Sequence, residues 1–369
     1  MQLLTEHNLA QYLRHTDRIP ADAQVTVREL AGGVSNVVLY VQLQAPSQKD
    51  DGLAFVVKQA REQLRVQQPW FCRVERIWRE VEVLRWCRRL LDDAAGRPTS
   101  KPQGVTVSQR ITISTPTILW EDRDNYCFAM TAAPVDHFTW KAQLLRGEFD
   151  SSTAAACGIL LGTLHARSWR SAAVADSLHD RSLFDDLRLD PYYRTVAKRY
   201  PEFAPRLQQL IDSVADNLLA LAHADFSPKN LLAYPAGLMM VDFETGHFGD
   251  PAFDLGFFLS HLMLKSHYHS SQSQQAAAAC WALAEPFWHA YRAQLAGIVP
   301  PPDEATLITR SIRHLAACGW ARLDGKSPVD YLLEEGPRQR VRAACQRILR
   351  ESPATWDEAA PLLGPAAVG

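Results

Sequence analysis

His223-Ala-Asp225-Phe-Ser227-Pro-Lys229-Asn230 is followed, twelve residues after Asn230, by Asp242-Phe-Glu244 and then by Gly249-Asp250-Pro251-Ala-Phe-Asp254. Polar residues crowd this passage, and only two brief apolar runs, Leu231 to Tyr234 and Leu238 to Phe243, break it. The first part has the H-x-D-x-x-x-x-N spacing of a phosphoryl-transfer loop, and the second places a metal-binding Asp after the following hairpin. The spacing has a physical reason. Asp225 is placed to accept or orient a hydroxyl proton, while Asn230 reaches back to a Mg²⁺ that also touches the nucleotide. Asp242 would bridge the metal, and Glu244 points the same way if the segment is extended, offering a further hard oxygen ligand. Asp and Asn also serve plain turns, so any one position alone would favour a structural reading. The joint pattern favours chemistry.

Such chemistry also needs a Lys on a strand for the nucleotide phosphates and a Glu on the next helix to hold it. Phe55-Val-Val-Lys58 ends an apolar strand, and a charged helix from about Arg73 to Leu91 follows it. Within that helix Glu80 is preferred over Glu82, because Ile77 and Leu84 lie three and four residues away and put Glu80 beside the buried stripe. Gly32-Gly33-Val34-Ser35-Asn36 sits between strands, where backbone N–H groups, Ser35 and Asn36 would meet phosphates. Met130-Thr131-Ala-Ala133-Pro134 ends a later strand, where the backbone of Thr131 and Ala133 would meet an adenine.

Working outward, strand-like runs at Val25 to Leu30, Val37 to Leu43 and Leu53 to Lys58 follow a first helix capped by Thr5. Thr117 to Trp120 and Tyr126 to Thr131 form a further hairpin about the turn Glu121-Asp122-Arg123-Asp124. After Pro134 nearly everything has helical period, including Ser152 to Ala166, Ala204 to Leu221, Phe253 to Leu264, Gln275 to Ala296 and Ala305 to Ala321. The expected class is α+β, a bilobal protein-kinase-like fold with a β-rich N-lobe over 1–133, a mainly helical C-lobe over 134–369 and MgATP bound between them.

The chain has 369 residues, with 39 Lys and Arg against 41 Asp and Glu, so no bulk positive field marks a nucleic-acid or anionic-membrane binder. Lys58 to Arg89 is locally basic, which a solvated helix beside a phosphate pocket explains better than an RNA-binding stripe. Phe253 to Leu264 is too short for a membrane span and contains Asp254 and His261, so it reads as a buried helix. Seven scattered cysteines include no C-x-x-C pair, and the N-terminus lacks a signal-peptide pattern; a cytoplasmic chain with free thiols is expected. His261, His267 and His269 suit a capped helix end better than a metal site.

These residues resemble the aminoglycoside phosphotransferase and choline kinase-like superfamily of small-molecule kinases over roughly residues 25 to 265. The resemblance rests on Gly-Gly-Val-Ser-Asn36, Val-Val-Lys58, Glu80, the loop from His223 to Asn230, and Asp242-x-Glu244 through Gly-Asp-Pro-x-x-Asp254-Leu. It implies that Asp225 is the catalytic base, Asn230 and Asp242 are Mg²⁺ ligands, and Lys58 binds phosphate. Within the superfamily the chain is most similar to methylthioribose kinase, on Val-Val-Lys58-Gln-Ala, Leu64-Arg-Val, Trp70, Leu144-Leu-x-Gly147, Gly162-x-Leu-His165 and Leu187-Arg-Leu-Asp-Pro-Tyr-Tyr193. Pro-Lys-Asn230 and Gly-Asp-Pro-Ala-Phe-Asp254 depart from that subgroup toward the broader one.

The expected partner is a small hydroxyl-bearing acceptor, with no nucleic acid and no membrane; a homodimer stays open. Asp242 runs directly into Gly-Asp-Pro and a helix, leaving no platform for a peptide substrate. From Ala252 to Leu323 four acids (Asp254, Glu285, Asp303, Glu304) face five bases (Lys265, Arg292, Arg310, Arg313, Arg322). This balance leans toward a sugar-like polyol over a polycationic aminoglycoside, with Arg310, Arg313 and Arg322 as acceptor-binding candidates. Aromatic residues such as Trp281, Trp288 and Tyr291 keep a choline-like cation in view. A silent nucleotide-binding protein and a metal-dependent phosphohydrolase are the rivals; the second leaves Lys58 and Glu80 without a purpose.

Overall fold

Apolar strands buried along most of their length at the centre, Ala54–Ala60 and Cys127–Thr131, and an alternating edge strand, Val25–Glu29, build an antiparallel sheet. The strands are β1 (Val25–Glu29), β2 (Asn36–Leu43), β3 (Ala54–Ala60), β4 (Ile118–Asp122) and β5 (Cys127–Thr131), in the order β1-β2-β3-β5-β4. The computed structural model describes residues 1–30, 36–44, 53–63, 73–94, 105–106 and 111–363. Ser35 and the Gly32-Gly33 pair, like Leu64 and Trp70, lie outside the described residues. Helix α1 (Leu9–His15) closes the core by packing Leu9, Tyr12 and Leu13 with Val37, Leu39, Val41, Phe55, Val57 and Ala129. Its N-cap is Asn8 rather than Thr5; the Thr5 amide instead donates to Asn8 Oδ1 at 2.8 Å in the turn before the helix.

Helix α2 (Arg76–Ala94) follows β3 and buries Ile77, Val81 and Leu84. The stripe that buries these residues also buries Glu80, which is 0% exposed. Glu82 on another face pairs with Arg79 at 3.9 Å and stays partly exposed.

The chain divides into two compact units, Met1–Arg88 with Pro116–Val135, and Arg89–Thr115 with Asp136–Gly369. A single cut near residue 133 does not reproduce this division. Residues 89–115 belong to the second unit because the strand Thr112–Ser114 pairs in parallel with a C-terminal strand, Gly237 lying opposite Thr112.

In the second unit α3 (Ser151–Ser168) is followed by a π-helix, Asp185–Arg194, with Pro191 inside it. An internal proline argues against an α-helix, and the wider register accommodates it. Strand β6 (Ala220–Ala222) pairs with β9 (His247–Gly249), and between them lies the hairpin of β7 (Leu231–Tyr234) and β8 (Gly237–Met240). Helix α4 (Pro251–His269) is buried at every position but Tyr268, which accounts for its apolar composition. No helix among the described residues is long and apolar enough to cross a membrane.

Helices α5 (Ala284–Leu295) and α6 (Glu304–Asp324) complete this layer. Close approach is built in by glycines: a Cβ at Gly162 would sit 2.8 Å from the Tyr291 carbonyl oxygen on α5, and one at Gly256 only 2.5 Å from His314 Cβ on α6. The expected helix 204–221 stops at Asp216, because Ala220 enters β6, and the expected 275–296 divides at Leu283 into Gln274–Ala282 and α5. The six described cysteines are buried and unbridged.

Candidate active site

In the first unit, Lys58 lies in β3 opposite Val38 and Phe128, so strands flank it on both sides. Its ammonium meets Glu80 Oε1 at 2.5 Å, with both side chains buried. Glu80 Oε2 also receives Asn36 Nδ2 at 3.4 Å. Asn36, expected as a phosphate contact, is thus turned toward the ion pair, while its Oδ1 has no hydrogen-bond partner among the described residues. The Thr131 amide donates to the Thr117 carbonyl at 2.9 Å, so strand pairing takes the donor that was expected to face an adenine. Ala133 lies just past the end of β5 and is partly buried.

In the second unit, the loop from His223 to Asn230 is held from several directions. Asp254, in the first turn of α4, accepts the His223 and Ala224 amides at 2.7 Å each, and its Oδ2 also meets His165 Nε2 at 3.2 Å. Tyr291 stands on the other nitrogen of His165 at 3.0 Å. Ala224 takes up a left-handed backbone, φ 58°, which an L-residue reaches only at a cost of about 1–2 kcal/mol. Thr245 Oγ1 donates to the His223 carbonyl at 3.1 Å and Arg188 Nε to the Ala224 carbonyl at 2.7 Å. The backbone N–H and C=O groups of His223, Ala224 and Asp225 are therefore all paired, as a buried bend requires.

Asp225, just beyond the bend, is 4% exposed. Its Oδ1 lies 2.7 Å from the Arg188 guanidinium, and its Oδ2 lies 2.8 Å from Lys229 Nζ and 2.7 Å from Asn230 Nδ2. Burial alone would raise this carboxyl, but Arg188 and Lys229 outweigh it and hold the group well below the ordinary carboxylate range. Lys229 is likewise opposed by burial, yet Asp225 and Asp242 raise it above its ordinary value. Burial pushes His223 down, so its neutral ring can accept the Asp225 amide at Nδ1, 3.3 Å away.

Asn230 ends a 3₁₀ turn, Pro228–Asn230, and its Nδ2 also donates to the Asp225 carbonyl at 3.0 Å. Both bonds use the nitrogen, so the amide oxygen is the end turned away from Asp225. Asp242 lies beyond the end of β8 with a left-handed backbone, φ 72°. The segment is therefore not an extended strand, and simple alternation does not place Glu244 beside Asp242. Burial would lower Arg188, but the charges of Asp225, Tyr192, Glu244 and Asp242 outweigh it and raise the guanidinium above its ordinary value. Neither Arg188 nor Lys229 stands out as a site residue from the motif. The i,i+4 spacing of Asp225 and Lys229 was the available signal; Arg188 had none beyond its place in Leu187–Tyr193.

The three arginines expected at an acceptor edge separate. Arg310 is buried, and its guanidinium forks onto Asp250, with Nε to Oδ2 at 2.9 Å and NH2 to Oδ1 at 3.1 Å. Asp250 also caps α4 by accepting the Ala252 amide at 2.9 Å. Arg310 therefore ties α6 to the start of α4 and presents no open edge, because a buried carboxylate needs a paired cation. Arg313 is partly buried, and its Nε has no partner among the described residues. Arg322 bonds to Tyr192 Oη at 3.3 Å and Ser327 Oγ at 2.8 Å. His267 and His269 stand in the last turn of α4, the helix end expected for them, and reach the carbonyls of Leu363 and Leu144 at 3.1 and 2.8 Å.

No curated protein matches the chain. Among solved structures it is similar to a choline/ethanolamine kinase family protein from Mesorhizobium loti (16% identity, 97% of this chain and 99% of that one, TM-score 0.52). It is also similar to an ethanolamine kinase from Plasmodium vivax (10%, 94% and 90%, TM-score 0.53) and a choline kinase from Cryptosporidium parvum Iowa II (13%, 97% and 93%, TM-score 0.50). At these identities the likeness shows the fold, an α+β arrangement of protein-kinase-like small-molecule kinases. A sequence profile of the phosphotransferase enzyme family matches residues 26–293, which takes in Lys58, Glu80, the Asp225 loop and Asp242, and the chain belongs to that family.

Proposed function

We propose that this chain is a kinase that transfers the γ-phosphoryl group of ATP, with Mg²⁺, to a hydroxyl of a small molecule. The observation that carries the reading is Asp225, a buried carboxylate kept ionised by Arg188 and Lys229 on the H-x-D-x-x-x-x-N loop. In a loose phosphoryl-transfer transition state the acceptor proton leaves late, so alignment of the hydroxyl matters more than strong basicity. Asp225 suits that role, accepting a hydrogen bond from the hydroxyl and taking the proton as the new O–P bond forms.

The donor set fits a hard divalent cation. Mg²⁺ is usually held by one or two carboxylates together with the substrate phosphates, and Asp242, Glu244 and the Asn230 amide oxygen are all hard oxygen donors. These three residues would hold the metal, and bound Mg²⁺ would offset negative charge on the phosphates. Lys58, oriented by Glu80, supplies a cation for the α and β phosphates, and Asn36 steadies the pair from the Glu80 side. Lys229 adds a further positive charge beside Asp225. The adenine contacts fall to the backbone beyond β5, around Ala133.

The sugar-like or methylthioribose acceptor read from the sequence gains no support from the comparisons. The relatives named above phosphorylate choline or ethanolamine by name, at identities that carry no substrate to this chain. A cytoplasmic location is proposed on the unbridged cysteines. Incubation with labelled ATP, Mg²⁺ and a panel of sugars, amino alcohols, hydroxy acids and aminoglycosides tests the reading. Label in an acceptor supports it; release of free phosphate alone supports a phosphohydrolase, and no turnover supports a silent nucleotide-binding protein.

A further inference from the structure

From Asp225 outward the second unit carries a run of cations, of which two, Arg322 and Lys265, have no carboxylate in ion-pair contact among the described residues. Arg188 and Arg322 share the ring of Tyr192, their guanidinium carbons 5.9 and 6.0 Å from its centroid. Arg188 also lies 5.7 Å from the ring of Phe257, which meets His261 edge-on at 5.0 Å, one turn along α4. Another turn on, Lys265 is 1% exposed, and its ammonium makes a 3.3 Å bond to the His261 carbonyl and stands 5.1 Å from the ring of Tyr331. Lys141 lies over the same ring at 5.5 Å. Asp225 pairs with Arg188 and Lys229, the charge of Asp242 acts on both and that of Glu244 on Arg188, and Asp330 lies 2.8 Å from Lys141; Lys265 and Arg322 have no carboxylate in ion-pair contact among the described residues.

Several polar atoms here are buried with no hydrogen-bond partner among the described residues: His261 Nε2, Tyr331 Oη, Arg322 Nε and Ser227 Oγ. Buried polar atoms ordinarily find partners, and four such atoms beside these cations point to a ligand that supplies acceptors. A cationic acceptor would be repelled here. A neutral one would leave the Lys265 charge buried without an anion.

Resting on the kinase reading, we infer that the acceptor carries, besides the hydroxyl that is phosphorylated, an anionic group, a carboxylate or phosphate, which His261, Lys265, Arg322 and Tyr331 receive. The charge state of the wall agrees. Burial lowers Lys265 to about 7, with Lys141 and Arg322 adding to the effect against Cys280 and Asp330, so an arriving anion would restore its full charge. Burial, and then Lys265 and Arg322, keep His261 neutral, with one ring nitrogen able to donate.

Calorimetric titration of the full chain tests this, using glycerol 3-phosphate, glycerate, glycerol and choline as probes, with and without Mg²⁺ and a non-hydrolysable ATP analogue. The analogue keeps probe anions off the nucleotide-phosphate site, and the first two probes separate phosphate from carboxylate. The expected result is that at least one anion binds roughly ten-fold or more tighter than glycerol, with choline weakest, since one charge-assisted hydrogen bond is worth about that factor. Lys265→Met should remove the preference and raise the melting temperature of the unliganded protein, as losing an unpaired buried cation should; a residue serving structure alone would lower it. If Lys265→Met fails to fold, Tyr331→Phe and Arg322→Gln each replace it and should weaken anion binding. Equal or tighter binding of glycerol or choline, or anion binding indifferent to these variants, overturns the inference. An anion site without phosphoryl transfer would keep it and overturn the kinase reading; transfer to choline or a neutral polyol in preference to their anionic counterparts would do the reverse.

Discussion

Arg188 lies 2.7 Å from the Asp225 carboxylate and, through its Nε, 2.7 Å from the Ala224 carbonyl, so one side chain holds both the acid and the strained bend that presents it. The acid is fixed in place and kept ionised by the same contact.

Arg188→Gln separates these effects. With the guanidinium gone, burial of Asp225 is opposed only by Lys229 and the Asn230 amide, and its carboxyl rises toward the ordinary carboxylate value of roughly 4. The native enzyme, with that carboxyl depressed, should show no loss of kcat/KM attributable to Asp225 as pH falls from about 7 to 5. The variant should gain an acid limb, losing activity as pH drops through the raised value, together with a fall in kcat of roughly 10²-fold. A pH profile of each protein checks this; parallel profiles would mean that Arg188 acts on structure alone.

Lys58 and Glu80 form a buried pair, and removing one partner strands the other. Lys58→Met or Glu80→Gln should each cost about 3–5 kcal/mol of stability, and the double variant less than the sum. Urea denaturation of all four proteins gives the coupling directly. The Lys58 variant should also raise the apparent KM for ATP more than the Glu80 variant does, since only Lys58 is assigned to phosphate.

Arg310 and Arg322 share α6 and should behave differently. Arg310→Met leaves Asp250 buried and uncompensated, at a cost of about 3–5 kcal/mol in chemical denaturation. Arg322→Gln, at a partly exposed site, should cost about 1 kcal/mol or less and appear instead in the KM for the acceptor. The opposite pattern would restore Arg310 as a recognition residue.

How much of this was legible beforehand depended on whether a residue's role follows from its neighbours in sequence. Lys58, Glu80, Asp225 and Asn230 carry local signals, a strand end, a helix stripe and a loop spacing, and the structure joins Lys58 to Glu80 and Asp225 to Asn230. Arg188 reaches Asp225 across 37 positions from a π-helix that contains a proline, a segment to which no motif assigned a role. Arg310 failed as a recognition residue because helical spacing puts it on a face without revealing that Asp250, 60 positions away, already fills its fork. Asp250 and Asp254 were recognised as a motif, but their separate duties, capping α4 and clamping the loop amides, appear only in three dimensions.

Ala224 offers a check on the strained bend. At φ 58° its Cβ is the source of the cost, and Ala224→Gly should raise stability by about 1 kcal/mol, read from the midpoint of urea denaturation. A loss of stability would mean that the bend is held more loosely than its hydrogen bonds imply.

The most direct measurement is the rate of phosphoryl transfer from labelled ATP to the preferred acceptor by Asp225→Asn. Asparagine keeps the size of the side chain and one oxygen, but it loses the charge that aligns the hydroxyl and takes its proton. The account predicts a fall of roughly 10³-fold or more in kcat, far beyond any change in ATP affinity measured by calorimetry. Transfer at the native rate would contradict it.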